Sequence, residues 1–225
     1  MTKISTAIEK ETGLYTLQEA AWYARLPQAT LRAWFSANNG KKGVLAEGEF
    51  IEDGSFISFI DFIQTLAIRA IRVEKKIPLQ RIRDAVKKAE DTYGLAYPFA
   101  RKHTTYLSGK DLFIQLESMD DLIQVSGKNP DQVTSKKIIE FYLEEVSFDP
   151  ETGLAKLYKP YENIKMNPSI GFGQPIVETC NVPAVVLWES VRNEGSFEKV
   201  AELYGIDLED VKTAFSYCDS LTPAA

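Results

Sequence analysis

The chain has 225 residues with 26 Lys+Arg, 32 Asp+Glu and one His, a formal net charge of -6; at about 100–200 residues per domain, this is one large domain or two small ones. Its 44% hydrophobic, 11% aromatic and 26% charged residues are a globular composition, which excludes wholesale disorder. A single His103 and two cysteines, Cys180 and Cys218, exclude multi-histidine metal sites, zinc ribbons and disulfide scaffolds. No apolar run reaches the roughly 18 residues of a membrane span and no signal peptide precedes the first motif, so a cytosolic chain needing no cofactor or metal is expected. The net charge is unevenly shared. Residues 1–110 carry 17 Lys+Arg against 12 Asp+Glu, a net of +5, whereas residues 111–225 carry 9 against 20, a net of -11. Such a split hints at two halves with different partners, the basic half being the candidate for nucleic acid.

In chain order, a polar stretch to Gly13 is followed by Leu14-Tyr15 and then by Thr16-Leu17-Gln18-Glu19. This is a capping box, in which Thr16 and Glu19 accept hydrogen bonds from each other's backbone. Leu17, Ala20, Ala21 and Ala24 continue at helical spacing until Leu26-Pro27 stops the helix. A second helix is expected from Gln28 to Ala37, burying Leu31, Trp34 and Phe35, and Asn38-Asn39-Gly40 ends it. Two short helices across a tight turn make a helix-turn-helix. Residues 43–51 and 54–57 read as the two strands of a following wing. Ser58 and Asp61 cap a long helix through Lys75 with Ile60, Ile63, Ala67 and Ile71 as its buried stripe. Pro78 opens a helix over Leu79–Tyr93, which Gly94 closes.

Residues 95–163 read as a connector with small β-hairpins. One pairs 104–107 with 112–116 around Ser108-Gly109-Lys110, and another pairs 146–149 with 154–158 across Pro150-Glu151-Thr152-Gly153. Ser135 to Phe141 is mixed. From Asn167 the run Asn-Pro-Ser-Ile-Gly-Phe-Gly-Gln-Pro-Ile-Val is a Gly/Pro-punctuated turn into a short strand. Three helices follow. Pro183 starts one to Asn193 that buries Ala184, Leu187, Trp188 and Val191; Ser196 caps one carrying Val200, Leu203 and Tyr204; Asp207 and Asp210 box the last, which buries Val211, Ala214 and Phe215. The fold class is mainly α with small β-hairpins (α+β), in three parts: 1–94, 95–163 and 164–225.

Between Arg25 and Ala46 there is no acidic residue, while Arg25, Arg32, Lys41 and Lys42 are basic. A helix that approaches a polyanion cannot carry carboxylates at short range. Gln28, Thr30 and Arg32 fall in the first turns of the second helix, the part that reaches base edges in a helix-turn-helix dock. Arg suits guanine and Gln suits adenine, and Lys41 and Lys42 suit phosphates. An ordinary amphipathic helix pair with a basic surface would show the same charges. The segments Tyr15-Thr16-Leu17-Gln18-Glu19-Ala20-Ala21 and Leu26-Pro27-Gln28-Ala29-Thr30-Leu31-Arg32-Ala33-Trp34 resemble the start of MerR-type winged helix-turn-helix proteins, over about residues 14–93. Thr30, Leu31, Arg32 and Trp34 match that family's Thr-Leu-Arg-x-Trp signature. The resemblance implies binding of double-stranded DNA through this helix and the wing, with Arg69 and Arg72 facing phosphates. The family's long coiled coil and effector cysteines are missing, which favours repression by occupancy over promoter untwisting or metal sensing.

The stretch from Asn167 to Val177, with Val182-Pro183, Ala201-Glu202-Leu203-Tyr204-Gly205 and Leu208 to Ala214, is similar to the family called domain of unknown function 433, over about residues 164–219. Glu178-Thr179-Cys180-Asn181-Val182 replaces the family's Gly-Thr-Arg-Ile. This resemblance implies a module paired with a PIN-domain ribonuclease toxin, and the whole chain resembles a VapB-type antitoxin. Asp207, Glu209 and Asp210 would meet phosphates with carboxylates, so this part reads as a protein-binding module whose acidity suits a basic partner; acidity that serves solubility alone is the alternative. By the same resemblance a basic side chain blocks the toxin. The tail Ser216 to Ala225 has none, leaving Arg192, Lys199 or a residue of the connector.

Other signals carry no catalysis. Gly171-Phe172-Gly173 lacks the Gly-Lys-Ser/Thr of a phosphate loop and reads as a tight turn. Asp120-Asp121 and Glu144-Glu145 have the wrong spacing for an acid/base or metal pair. His103 has no visible triad partner, and Cys180 and Cys218 read as buried free thiols. The expected protein is a non-enzymatic antitoxin that represses its own operon, as a homodimer or a larger hetero-oligomer with its toxin. The rival is a free-standing MerR-like regulator that answers to a small ligand and has no toxin; a scaffold that has lost DNA binding is a third reading.

Overall fold

The computed structural model describes residues 13–35, 56–74, 76–108, 111–116, 123–124, 136–137 and 145–221. These fall into two units that divide between Ala155 and Lys156. Both are of the α+β class, with seven α-helices and small antiparallel sheets among the described residues.

The first unit begins with β1 (Gly13–Thr16), which pairs antiparallel with β2 (Phe56–Ser58), Tyr15 opposite Ile57 and Thr16 opposite Phe56. The expected wing strand over 54–57 is therefore partly a strand, but what it pairs with is β1. Its intended partner over 43–51 lies outside the described residues. Each strand runs straight into a helix. Thr16 caps α1 (Leu17–Tyr23): its N–H donates to Glu19 Oε2 at 2.8 Å and its Oγ1 accepts from the Glu19 N–H at 3.2 Å, which is the predicted capping box. Ser58 caps α3 (Phe59–Arg69), accepting from the Asp61 N–H at 3.1 Å and donating to Asp61 Oδ2 at 2.7 Å. Between them lies α2 (Gln28–Phe35).

Helix α3 is the centre of this unit. Sequence periodicity gave it one stripe, yet Phe59, Phe62, Leu66 and Ile68 are buried together with Ile60, Ile63, Ala67 and Ile71. A helix covered all round hides its polar groups too: Gln64 Oε1 accepts from the Phe99 N–H at 3.4 Å, and Thr65 Oγ1 donates to the Asp61 carbonyl at 2.9 Å. The expected long helix runs to Glu74, but not as a uniform α-helix, and Lys75 lies outside the described residues. After Arg69 the backbone widens into a π turn over Ala70–Glu74 that keeps Ile71 inside and turns Arg72 and Val73 out. Helix α4 (Leu79–Tyr93) has its predicted bounds, with Gly94 at φ +63° and a Leu95 N–H to Ala89 carbonyl bond of 2.9 Å closing it as a Schellman motif.

The connector holds a four-stranded antiparallel sheet, ordered β5-β4-β3-β6, made of β3 (His103–Ser108), β4 (Asp111–Leu116), β5 (Ile123–Gln124) and β6 (Lys136–Lys137). The predicted first hairpin is β3–β4, in register from His103 opposite Leu116 to Ser108 opposite Asp111. Strand β7 (Val146–Phe148) leads into a turn in which Asp149 Oδ1 accepts from the Thr152 N–H at 2.8 Å and the Glu151 N–H at 3.1 Å. Arg101 ties this turn to the rest, its Nε donating to the Ala96 carbonyl at 2.7 Å and its Nη1 to the Thr152 carbonyl at 2.8 Å.

The second unit holds β8 (Ala155–Tyr161), which enters from the first, then β9 (Ile164–Met166) and β10 (Ile176–Val177), all antiparallel. Strand β9 had no sequence expectation. Helices α5 (Ala184–Glu194), α6 (Phe197–Tyr204) and α7 (Leu208–Leu221) follow, with Gly195 and Gly205 as left-handed stops. Their core is Leu187, Val191, Val200, Val211, Ala214 and Tyr217. Two expectations of burial, Trp188 and Phe215, are met only in part. Trp188 and Phe215 are half-buried, Phe215 meeting Phe197 edge-on at 5.1 Å. Leu203 is 68% exposed and Tyr204 lies outward, its hydroxyl 3.1 Å from Ser190 Oγ. This short amphipathic helix packs on both α5 and α7 through one stripe, and Val200-Ala201 takes it.

Of the two thiols Cys218 is buried, whereas Cys180 is only half-buried. Burial, helped by Glu189, pushes the Cys218 thiol up to about 12. Thiolate is the reactive form, so at pH 8 a disulfide reagent is expected to modify Cys180 alone in the folded chain. Cys180→Ser should abolish that reaction until denaturant exposes Cys218. Thr16→Ala should lower the unfolding free energy in urea by about 1 kcal/mol through loss of the cap.

Candidate functional site

The segment from α1 through the turn to α2 is built by local rules. Tyr15 is fully buried, its ring 5.1 Å from that of Phe62 and 6.1 Å from that of Tyr23. Burial first, then the nearby Tyr23 and Glu19, raise its phenol well above the usual range, so it is a neutral core group. The turn after α1 reverses the chain at Arg25, at φ +52°, with the Leu26 N–H donating to the Ala21 carbonyl at 2.9 Å. Pro27 then opens α2, its carbonyl accepting from the N–H groups of Thr30 at 2.9 Å and Leu31 at 3.1 Å.

Helix α2 buries Leu31, Trp34 and Phe35 as predicted. Its other side exposes Gln28, Ala29, Arg32 and Ala33, and Thr30 is half-buried. Gln28 and Arg32 are one turn apart and therefore share a face, whereas Thr30, about 200° round from each, lies on the opposite side at the edge of the buried stripe. Ala29 and Ala33 keep that face low, so a flat polar partner can approach it closely. The remaining candidates separate. Arg69 is half-buried in the last turn of α3; Arg72 is exposed on the π turn, its Nη1 3.3 Å from the Ile77 carbonyl that accepts from it. Lys41 and Lys42 lie outside the described residues, as does the Asp120-Asp121 pair.

In the second unit the two predicted cations flank the α5–α6 corner at Gly195. The Arg192 guanidinium lies 4.6 Å from the centre of the Trp188 ring, and the Lys199 side chain is exposed. The acidic start of α7 needs correction. Asp210 is buried and its Oδ1 accepts from Asn163 Nδ2 at 3.2 Å, so only Asp207 and Glu209 face outward. Glu209 also lies 3.5 Å from Lys212 Nζ. Asn163 is the turn between β8 and β9, at φ +59°, and Asp210 is in the first helical turn, where the helix dipole favours an anion. No sequence pattern signals this bond, because its partners lie 47 residues apart.

Among the described residues no group of three or more His, Cys, Asp or Glu is placed to hold a metal ion, and no helix is long and apolar enough to cross a membrane.

Three likenesses bear on this geometry. Residues 164–218 match the family described as "Protein of unknown function (DUF433)" and lie wholly within the second unit. Over 222 residues, 89% of this chain and 92% of the other, the sequence is 25% identical to a Mycobacterium tuberculosis protein provisionally named antitoxin VapB45. The crystal structure of Rv2018 from Mycobacterium tuberculosis superimposes with a TM-score of 0.63 at 20% identity, covering 91% of this chain and 98% of that one. At that identity the fold is what is shared. Coverage of this extent takes in both units.

The Asn163–Asp210 bond makes a graded prediction. Asn163→Gly keeps the left-handed turn and loses the bond, which should cost about 1–2 kcal/mol. Asn163→Ala should cost about 1 kcal/mol more, because the methyl group strains the turn. Urea unfolding of the three chains measures both steps.

Proposed function

We propose that this protein is an antitoxin in two parts, a non-enzymatic regulator whose first unit binds its own operator and whose second unit engages and neutralises a PIN-type ribonuclease toxin. The observation that carries the reading is the similarity, across both units, to a protein provisionally named an antitoxin. The geometry of α2 supports the DNA half: Gln28 and Arg32 stand exposed on one face, and the sequence from Arg25 to Ala46 contains no carboxylate. On this reading α2 enters the major groove in the manner of a MerR-like winged helix-turn-helix, Arg32 and Gln28 read base edges while Thr30 is turned away from their face, and Lys41, Lys42, Arg69 and Arg72 hold phosphates. A homodimer places two such helices on two half-sites, which multiplies a modest single-site affinity. Of the six basic residues over 156–225, in the second unit, Arg192 and Lys199 are the ones assigned to the toxin on this reading. Such an antitoxin works in the cytoplasm.

Binding to the DNA upstream of its own reading frame, followed by fluorescence anisotropy, tests the first half. Arg32→Ala should weaken specific binding by about 10–100-fold without lowering the melting temperature. Lys41→Ala with Lys42→Ala should weaken binding to every sequence and reduce the slope of log K against log salt by about 2. Equal affinity of the Arg32→Ala chain for the operator would remove α2 from the interface. Co-expression with the product of the adjacent reading frame tests the second half: the chain should form a complex with it and relieve its growth arrest.

A further inference from the structure

The turn between β9 and β10 holds three successive residues in the left-handed region: Gly171 at φ +58°, Phe172 at φ +54° and ψ +33°, and Gly173 at φ +74°. Glycine adopts this conformation freely. A phenylalanine there is strained, and such strain persists only where something compensates it. Burial of the ring does not compensate it, because Phe172 is 79% exposed, the most open large hydrophobic residue of the described chain. Ile170, two residues earlier, is 40% exposed.

The turn is also rigid. The Ser169 N–H donates to Asn167 Oδ1 at 2.9 Å, the Ile170 N–H to the Asn167 carbonyl at 3.0 Å, and the N–H groups of Gly173 and Gln174 to the carbonyls of Ile170 and Gly171 at 3.2 and 3.1 Å. Gly171 cannot be replaced freely either, since a Cβ there would sit 3.2 Å from Ile176 Cγ2. A turn tied by these hydrogen bonds thus presents an aromatic side chain to water. Preorganised, exposed aromatics are the usual anchors of protein interfaces, where they fill a pocket on the partner.

We propose that Phe172, with Ile170 beside it, is the apolar anchor by which the second unit docks on a partner protein that presents an apolar pocket rimmed by lysine or arginine. Charge selects that partner. From Met166 to Val177 the chain has no charged residue, while residues 156–225 as a whole carry ten Asp+Glu against six Lys+Arg. An uncharged tip on an acidic body is complementary to a pocket in a basic surface. A second copy of this chain would instead bring two acidic bodies together around the two rings. The inference rests on the antitoxin reading, the partner being the toxin of that pair.

The test uses the full chain and the purified product of the adjacent reading frame, with titration calorimetry for affinity and sedimentation for self-association. Phe172→Asn keeps a residue that tolerates the left-handed turn and removes the ring; Phe172→Gly removes ring and strain together. Both variants should bind at least about 30-fold more weakly than the parent, mainly through faster dissociation, and neither should melt below it. Parental affinity in both variants would overturn the anchor and leave the antitoxin reading standing. A parent that self-associates and variants that do not would make the occupant a second copy, which also overturns it. A parent that fails to bind the product would overturn the antitoxin reading and the anchor with it.

Discussion

The pairing of β1 with β2 is the constraint from which the first unit follows. Thr16 and Ser58 are each the last residue of a strand and the N-cap of the next helix, so one short antiparallel ribbon sets where both α1 and α3 begin. Tyr15, in the middle of that ribbon, is buried against rings from both helices, Tyr23 of α1 and Phe62 of α3. Once α1 is placed, the turn at Arg25 and the start at Pro27 leave α2 little freedom, and Leu31, Trp34 and Phe35 fix its rotation. The direction in which Gln28 and Arg32 point is thus inherited from a ladder of three residue pairs. None of those pairs belongs to the face that would meet DNA.

The features that could be read from sequence are those with local causes. A capping box, a Pro at a helix start and a Gly just past its end act within four or five residues. Hence the bounds of α4 are those expected, and Gly195 and Gly205 stop α5 and α6 where the sequence says. Strands β1 and β9 escaped because strands of three or four residues show too little alternation, and their partners are distant or reached through an irregular register. Burial was legible as a stripe but not as an environment. Periodicity marks the side of α3 that must be covered; it does not say that its other sides are covered as well, with Gln64 and Thr65 satisfied inside. The π turn at Ala70 likewise has no signature in the residues that form it.

The candidate sites divide along the same line. On α2 the buried triplet and the exposed Gln28 and Arg32 follow from spacing alone, so the face could be assigned in advance; Thr30, between them in sequence, falls on the opposite side because a helix advances about 100° per residue. At the start of α7 the same logic counted three outward carboxylates. Tertiary structure withdraws one, since Asp210 is more useful as the acceptor for Asn163 than as a surface charge. The electrostatic objection to DNA binding there still holds with Asp207 and Glu209. The Glu209–Lys212 pair relieves it little, because exposed ion pairs at this spacing are weak and screened by salt.

What distinguishes the two candidate surfaces is the kind of interaction each can make. The α2 face is small, polar and free of anchoring apolar groups. Recognition there must come from hydrogen bonds and charge, and those terms depend on salt and gain most from a polyanion. The Asn167–Gln174 turn is the reverse: uncharged, rigid and tipped with an aromatic ring, so its affinity must come from filling a pocket and excluding water, which salt affects little. The division of charge between the halves fits this difference. A basic half concentrates an anionic partner at a surface that has little else to hold it. On the proposed reading, an acidic half repels that same polyanion from the apolar tip and leaves the tip to a protein. A formal charge of -6 therefore describes neither half, being the sum of +5 over residues 1–110 and -11 over residues 111–225.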